Sequence, residues 1–279
     1  MTLQSTTDSV VASRIGDLNG KAAIITGAAS GIGLALAHAL AAKGVDLALA
    51  DIDASGLEAA RAELAPSGRR IFTRVLDVSR DADVRAAALE FEAQLGAIHL
   101  VFNNAGIDMS GTLESLSEED WTRAFGVNVF GIIHGIRHFV PLLRRHGGPA
   151  HVVNTASGAG LWVNSEIPMG AYAATKSSVV TLSEALEQEL RGTRIGVSVL
   201  CPGPVATPIA ERSPHSSERL RASIAAGAAP QKVAGQVLDA ICAGEFYIFT
   251  PTRMKAGLEQ RFGRILDALE RQQVAGTTA

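Results

Sequence analysis

A tyrosine stands four residues ahead of a lysine in Gly170-Ala171-Tyr172-Ala173-Ala174-Thr175-Lys176. At helical spacing, residues i and i+4 share a face, so the phenol and the ammonium can reach one point. A phenol with an ordinary pKa near 10 is a poor acid–base catalyst at neutral pH, but a neighbouring ammonium favours the phenolate. Lowering the pKa by ~3 units takes roughly 4 kcal/mol of differential stabilisation, more than one exposed lysine supplies. A second positive charge beside the pair is required. Taken alone, a tyrosine and a lysine four apart are usually an exposed helix pair.

The elements that must position such a pair begin with Lys21-Ala22-Ala23-Ile24-Ile25-Thr26, an apolar run that reads as a buried strand. It enters Gly27-Ala28-Ala29-Ser30-Gly31-Ile32-Gly33 and then an alanine- and leucine-rich helix to about Lys43. Strand, glycine-rich turn and helix form the context in which this pattern means dinucleotide binding. Gly27 permits the tight turn, Gly31 lets backbone N–H groups approach a pyrophosphate at the helix N-terminus, and Gly33 allows close packing on the sheet. The spacing departs from the general G-x-G-x-x-G form, and a tight turn without ligand is the competing reading. A second strand over 46–50 ends at Asp51, about twenty residues beyond the loop, where a carboxylate would grip a ribose hydroxyl pair. That carboxylate would repel a 2′-phosphate, and neither the loop nor Ile52-Asp53 offers a compensating arginine. NAD is therefore expected over NADP, and an oxidised nicotinamide would be the second positive charge that Tyr172 needs.

Alternation continues with a strand over 71–76 ended by Asp77-Val78, a helix over 81–95 and a strand over 98–102. Asp77 and Val78 would flank an adenine. Asn103-Asn104-Ala105-Gly106 closes the fourth strand beside the first, and its asparagines could serve the turn alone. Ser117-Glu118-Glu119-Asp120 predicts a capped helix start, and the helix beyond carries Asn128 in an apolar stretch. His134 and His138 have metal-ligand spacing, but no third ligand stands nearby in sequence, so they read as solvated and no metal site is expected. A strand over 150–154 leads to Thr155-Ala156-Ser157-Gly158, where a serine at a strand's carboxyl end can face a cleft. The Tyr172 helix is expected to reach about Arg191. A sixth strand over 195–200 is cut by Cys201-Pro202-Gly203-Pro204, a seventh covers 246–249, and a terminal helix covers 255–273.

In 279 residues, 47% are hydrophobic and 28 are glycine, enough for a large buried core in one domain. The net charge of −3, with no basic block, argues against nucleic acid as a partner. Cys201 and Cys242 make neither a disulfide framework nor a metal knuckle and read as buried thiols in a reducing compartment. No apolar run approaches a membrane span, residues 1–16 lack a signal-peptide core, and a soluble cytoplasmic protein is expected.

Thr26-Gly27-Ala28-Ala29-Ser30-Gly31-Ile32-Gly33, Asn103-Asn104-Ala105-Gly106, Tyr172 with Lys176, and Pro202-Gly203 together resemble the classical short-chain dehydrogenases/reductases over residues 18–250. The resemblance implies an α/β Rossmann-type fold, a doubly wound seven-stranded parallel sheet in a single domain. Residues 1–17 would be a mobile tail, about 204–227 a lid, and 251–279 a C-terminal helical extension. A catalytic tetrad is implied at Asn128, Ser157, Tyr172 and Lys176. Tyr172 would be the general acid/base, and Ser157 would hold the substrate oxygen. Lys176 would grip the nicotinamide ribose and lower the tyrosine pKa, while Asn128 would hold a water in the proton relay. The implied cofactor shell comprises Gly27, Ser30, Gly31, Ile32 and Gly33, then Asp51, Asp77 and Val78. It continues with Asn104, Ala105 and Gly106, with Tyr172 and Lys176, and with Pro202, Gly203, Val205 and Thr207. The stretch from Ser157 to Tyr172 is longer than usual for the family, through 162–169. Ala256-Gly257-Leu258-Glu259 resembles bacterial dehydrogenases of benzylic alcohols from lignin-type aromatics.

The expectation is hydride transfer between NAD and a secondary alcohol or ketone, hydrophobic or aromatic, against walls including Met109, Trp162, Ile167, Met169 and Ile209. The alternatives are an NADP-dependent ketoreductase of the same family and a catalytically silent dinucleotide-binding sensor. The sensor would be expected to lose Tyr, Lys or Ser, and an enoyl-thioester reductase would want wider tyrosine–lysine spacing. Helices around 130–145 and 175–191 resemble the family's dimer-forming faces, so a homodimer or homotetramer is expected.

Overall fold

The computed structural model of the protein describes residues 15–163, 167–213, 215–250 and 254–276. The expected mobile tail falls mostly on residues 1–14, outside the described residues. Ile15, at its end, is packed into the core beside Leu18.

Seven parallel strands form one sheet in the order β3-β2-β1-β4-β5-β6-β7. They are β1 (Ala22–Thr26), β2 (Asp46–Asp51), β3 (Ile71–Val75), β4 (Leu100–Asn103), β5 (Ala150–Thr155), β6 (Ile195–Cys201) and β7 (Tyr247–Phe249). The central strands carry apolar residues on both faces and are buried along their length, which a parallel sheet covered on both sides requires. On one face, α1 (Gly31–Ala42), α2 (Ala54–Leu64) and α8 (Pro230–Ala243) close a core around Leu36, Leu40 and Val237. On the other, α3 (Asp81–Leu95), α5 (Gly131–His146) and α6 (Gly170–Leu190) close one around Phe91, Phe139 and Leu186. The doubly wound fold expected from the sequence is present. The order reverses between β1 and β4, which pair directly, so a crevice opens beyond their carboxyl ends.

The boundaries differ from the sequence reading by a residue or two at most ends. The fourth strand begins at Leu100 rather than 98, and Asp51 is the last residue of β2 rather than the residue after it. Not anticipated were α2, α8 and the short α7 (Glu218–Ala225). Asp53 caps α2 by accepting from Gly56 N at 3.0 Å. The predicted capping box is present at α4 (Glu118–Phe125), where Ser117 and Asp120 satisfy each other's backbone N–H. α4 passes into α5 through a π-helical turn, Gly126–Phe130, a local widening that places Asn128 inward. The expectation that no apolar run approaches a membrane span needs correction: Glu118–His146 is by length and composition long and apolar enough to cross a bilayer. Half of its most apolar window is buried inside the protein, where it forms core.

The expectation of solvated histidines needs correction. His134 is buried and its Nδ1 lies 2.9 Å from Val78 O, while His138 Nε2 lies 2.8 Å from Asp81 Oδ1. Both clamp α5 to the β3–α3 connection, which sequence spacing cannot reveal. Among the described residues no cluster suited to a metal occurs. Cys201 is buried as expected, whereas Cys242 is half-buried. Burial pushes the Cys201 thiol up to about 12, so it stays protonated.

A third histidine makes the fold acid-sensitive. His151 on β5 is buried, with Nε2 2.7 Å from Ser198 Oγ, and that hydroxyl donates to Glu245 O at 2.6 Å. His151 must therefore carry its proton on Nε2, leaving Nδ1 without a partner among the described residues. Burial pulls its pKa to about 3. With the folded value below an unfolded value near 6.5, the unfolded chain binds the extra proton first, so stability is lost as pH falls from about 6.5 toward 3. At most about 1.4 kcal/mol per pH unit comes from this residue. Thermal melts from pH 7.5 to 4.5 should show a falling Tm, and His151→Gln should flatten that acid limb. Parallel limbs for the two proteins would remove His151 as the cause.

Candidate active site

One cavity of about 840 Å³ occupies the crevice at the strands' carboxyl ends. Ser157, Tyr172 and Lys176 line it, as does every residue of the expected cofactor shell except Gly33. Gly33 lies one layer behind, where a Cβ would run into the Gly27 carbonyl. The five residues expected as substrate wall also line the cavity, which extends past Trp162 to Met254. Residues 164–166, within the longer stretch before Tyr172, and residues 251–253 lie outside the described residues.

The loop after β1 is built for close backbone approach. Gly27 and Gly31 have φ of +67° and +56°, and a Cβ on Gly27 would sit 2.8 Å from Ala105 Cα. Thr26 Oγ1 accepts from Asn104 N at 2.9 Å and Ala105 N at 3.1 Å, while Asn104 Nδ2 donates to Thr26 O at 3.0 Å. Asn104 thus ties the β4 turn to the glycine loop, which makes it structural and site-forming at once. Asn103, by contrast, points into the core, donating to Asn154 Oδ1 at 2.9 Å. The α1 N-terminus has no side-chain cap and no acid in its first turn, so its N–H donors and positive dipole end face the cavity without internal compensation. That is the environment a pyrophosphate requires.

Beside the glycine loop, Asp51 is 8% exposed and accepts from Ala29 N at 3.0 Å through Oδ2 and from Asp53 N at 3.1 Å through Oδ1. One backbone donor per oxygen fixes the carboxylate and leaves acceptor capacity on each for a ribose diol. The structure also brings in a cation that local sequence did not show. Arg212 lines the cavity and its Nη2 lies 3.4 Å from Asp53 Oδ2. Asp77 accepts from Ser79 N and Oγ at 2.9 and 2.7 Å, holding the turn where Val78 lines the cavity. The residues present fit a dinucleotide along the whole crevice.

Lys176 is buried, and its Nζ donates to Thr155 O at 2.8 Å while standing 5.7 Å from the Tyr172 ring centre. Burial lowers its pKa to about 8. The Tyr172 phenol is pushed up by burial; a hydrogen bond with Ser157 opposes this and the Asp108 charge adds to it. The expected lowering of the tyrosine pKa is therefore not intrinsic to the protein surroundings: desolvation outweighs the Ser157 hydrogen bond, which leaves a further positive charge to be supplied. Ser157 Oγ accepts from Ala159 N at 3.1 Å, which fixes its rotamer and leaves its own proton to donate. Asn128 does not line the cavity. It is fully buried, with Oδ1 accepting from Ile107 N at 2.8 Å and Nδ2 donating to Ile107 O at 3.0 Å and Thr175 Oγ1 at 3.1 Å. It locks the segment after β4 to the helix that carries Tyr172.

Replacing Lys176 with Ala should cut kcat by roughly 100-fold and move the acidic limb of alcohol oxidation upward by about one to three pH units. The sign follows from charge: without the ammonium the phenolate is less stable, so the base form requires higher pH. A pH–rate profile with an unmoved limb would contradict the pairing.

Comparison with known proteins agrees with this geometry. The family model described as short chain dehydrogenase matches residues 21–218. The chain is 35% identical over 251 residues to 1-deoxy-11-beta-hydroxypentalenate dehydrogenase of Streptomyces exfoliatus, covering 88% of each protein. It is 33% identical over 270 residues to C alpha-dehydrogenase of Sphingobium sp. strain SYK-6, covering 91% of this chain and 88% of that one. A short-chain dehydrogenase/reductase from Burkholderia phymatum, solved in complex with NAD, superposes with a TM-score of 0.84 at 38% identity, over 89% of this chain and 95% of the other.

Proposed function

This chain belongs to the short-chain dehydrogenase family and is an NAD(P)-dependent oxidoreductase of alcohols and ketones; on that premise we propose that NAD is its cofactor, and a hydrophobic or aromatic secondary alcohol its substrate. The observation that carries this reading is the convergence of Tyr172, Ser157 and Lys176 on the cavity that also holds Asp51 and the uncapped start of α1. The nicotinamide, when bound, supplies hydride acceptance or donation. The protein does the rest. Ser157 donates to the substrate oxygen, and Tyr172 takes the hydroxyl proton during oxidation or returns it during reduction. Lys176 places positive charge beside the phenolate as it forms, while Asn128 holds the Ile107 segment and α6 in register.

Asp51 supports NAD over NADP, and the Met109, Trp162, Ile167 and Met169 walls support an apolar substrate body. The Streptomyces relative, named for dehydrogenating a hydroxylated pentalenate, is consistent with an alcohol as substrate. Assembly as a homodimer or homotetramer is supported by Phe130 on the α5 side and by Tyr247 and Phe249 on edge strand β7, all large, apolar and exposed. Absorbance of reduced nicotinamide with a panel of secondary alcohols tests the function. A rise requiring both alcohol and NAD is expected, and none across aliphatic, alicyclic and benzylic members would refute it.

A further inference from the structure

Two polar groups lining the cavity have no part in the proton or hydride transfer above. Asp108, two residues beyond Gly106, is 5% exposed and lines the cavity. Its carboxylate accepts from Ser110 Oγ, at 2.9 Å to Oδ1 and 3.1 Å to Oδ2, and from Ser216 Oγ at 2.6 Å to Oδ2. Among the described residues no Lys, Arg or His forms an ion pair with it. Two hydroxyl donors leave a buried carboxylate, which offers about four acceptor sites, incompletely satisfied. The second group is the Ser213 hydroxyl: the residue is 6% exposed, lines the same cavity, and its Oγ has no partner among the described residues. Ser213 stands at the start of the turn that Ser216 closes by donating its N–H to Ser213 O at 3.3 Å, so the segment bearing it is fastened to Asp108. Met109, Trp162, Ile209, Met254 and Tyr172 line the same cavity.

We propose that Asp108 and Ser213 form a second polar subsite that takes a substrate hydroxyl remote from the reacting carbinol, so the substrates are apolar or aromatic secondary alcohols and ketones bearing a further hydroxyl. This rests on the oxidoreductase reading and narrows its substrate class. A hydroxyl matches both groups, donating to the Asp108 carboxylate while accepting from Ser213. A substrate carboxylate would meet the Asp108 charge at short range, and a purely apolar group would leave both polar groups buried without partners, the arrangement that discriminates most strongly against an analogue lacking a hydroxyl.

The test is calorimetric binding, to the protein saturated with NADH, of aryl alkyl ketones with a hydroxyl at successive places along the chain, each beside its deoxy, amino and carboxy counterparts. At least one hydroxyl placement should bind about 10- to 100-fold tighter than its deoxy counterpart and tighter than the amine and the acid. Asp108→Asn and Ser213→Ala should each bring that ratio toward one. Ser213→Ala removes only an unpartnered hydroxyl, so it reads the subsite even if the Asp108 variant fails to fold. No hydroxyl placement ahead of its deoxy counterpart, a preferred amine or acid, or an undiminished ratio in Ser213→Ala would overturn the subsite. Turnover of the same series is scored separately: tight, hydroxyl-selective binding with no turnover at all would count against the oxidoreductase reading and not against the subsite.

Discussion

Tyr172→Phe should retain NAD binding and lose roughly 1,000-fold in kcat, within the range that a positioned acid/base contributes. The substitution removes one oxygen from a ring already held in the cavity wall by α6, so the fold and the dinucleotide crevice are undisturbed. What disappears is the group that accepts the alcohol proton. Because burial pushes the phenol up and Ser157 alone pulls it back, Tyr172 is a reluctant base until positive charge accumulates beside it. Removing it should therefore lower kcat and leave the dissociation constant of NAD within about twofold. Near-wild-type kcat in the variant would transfer the proton to some other group and end the assignment.

Cofactor choice should hinge on Asp51 to nearly the same extent. Wild-type kcat/KM should favour NAD over NADP by roughly 30- to 1,000-fold, which corresponds to about 2–4 kcal/mol of repulsion and lost charge-assisted hydrogen bonds. Asp51 is clamped by Ala29 N and Asp53 N, so it cannot swing aside to admit a 2′-phosphate. Arg212 is near, but its guanidinium is paired with Asp53, and that carboxylate offsets its charge. Asp51→Ala combined with Ile52→Arg should move the preference toward NADP, since Ile52 lines the crevice and is exposed. Steady-state kinetics with both cofactors decide it: comparable wild-type values would mean that Asp51 does not meet the ribose.

Much of this was legible in the chain because the elements near the cofactor are specified locally. The glycine loop, the acid ending β2 and the Tyr172–Lys176 pair are fixed by spacing and by strand–turn–helix alternation. What escaped depends on residues far apart in sequence. Asn128 reads as a polar anomaly in an apolar helix, and only folding shows it bridging Ile107 and Thr175. His134 and His138 look solvated because their partners, Val78 and Asp81, come from another connection more than fifty residues earlier. Arg212 reaches Asp53 across 159 residues. Asp108 carried a faint signal, an acid two residues past the β4 turn, but its hydroxyl partners Ser110 and Ser216 belong to separate loops. Of the helices missed, α8 carries a regular buried stripe, Val233, Val237 and Ile241, that was legible in the sequence, whereas α2 and α7 bury only a few apolar residues each.

The central claim is that a carbinol hydrogen leaves as hydride for the nicotinamide while Tyr172 takes the hydroxyl proton. It is tested most directly by oxidising a secondary alcohol deuterated at the carbinol carbon, with wild-type protein and NAD, and examining the reduced cofactor by mass spectrometry. Deuterium in the reduced nicotinamide, one atom per turnover and with none washed in from or out to solvent, is the predicted result. Reduced cofactor carrying solvent hydrogen, or alcohol consumption without stoichiometric NADH, would contradict the account.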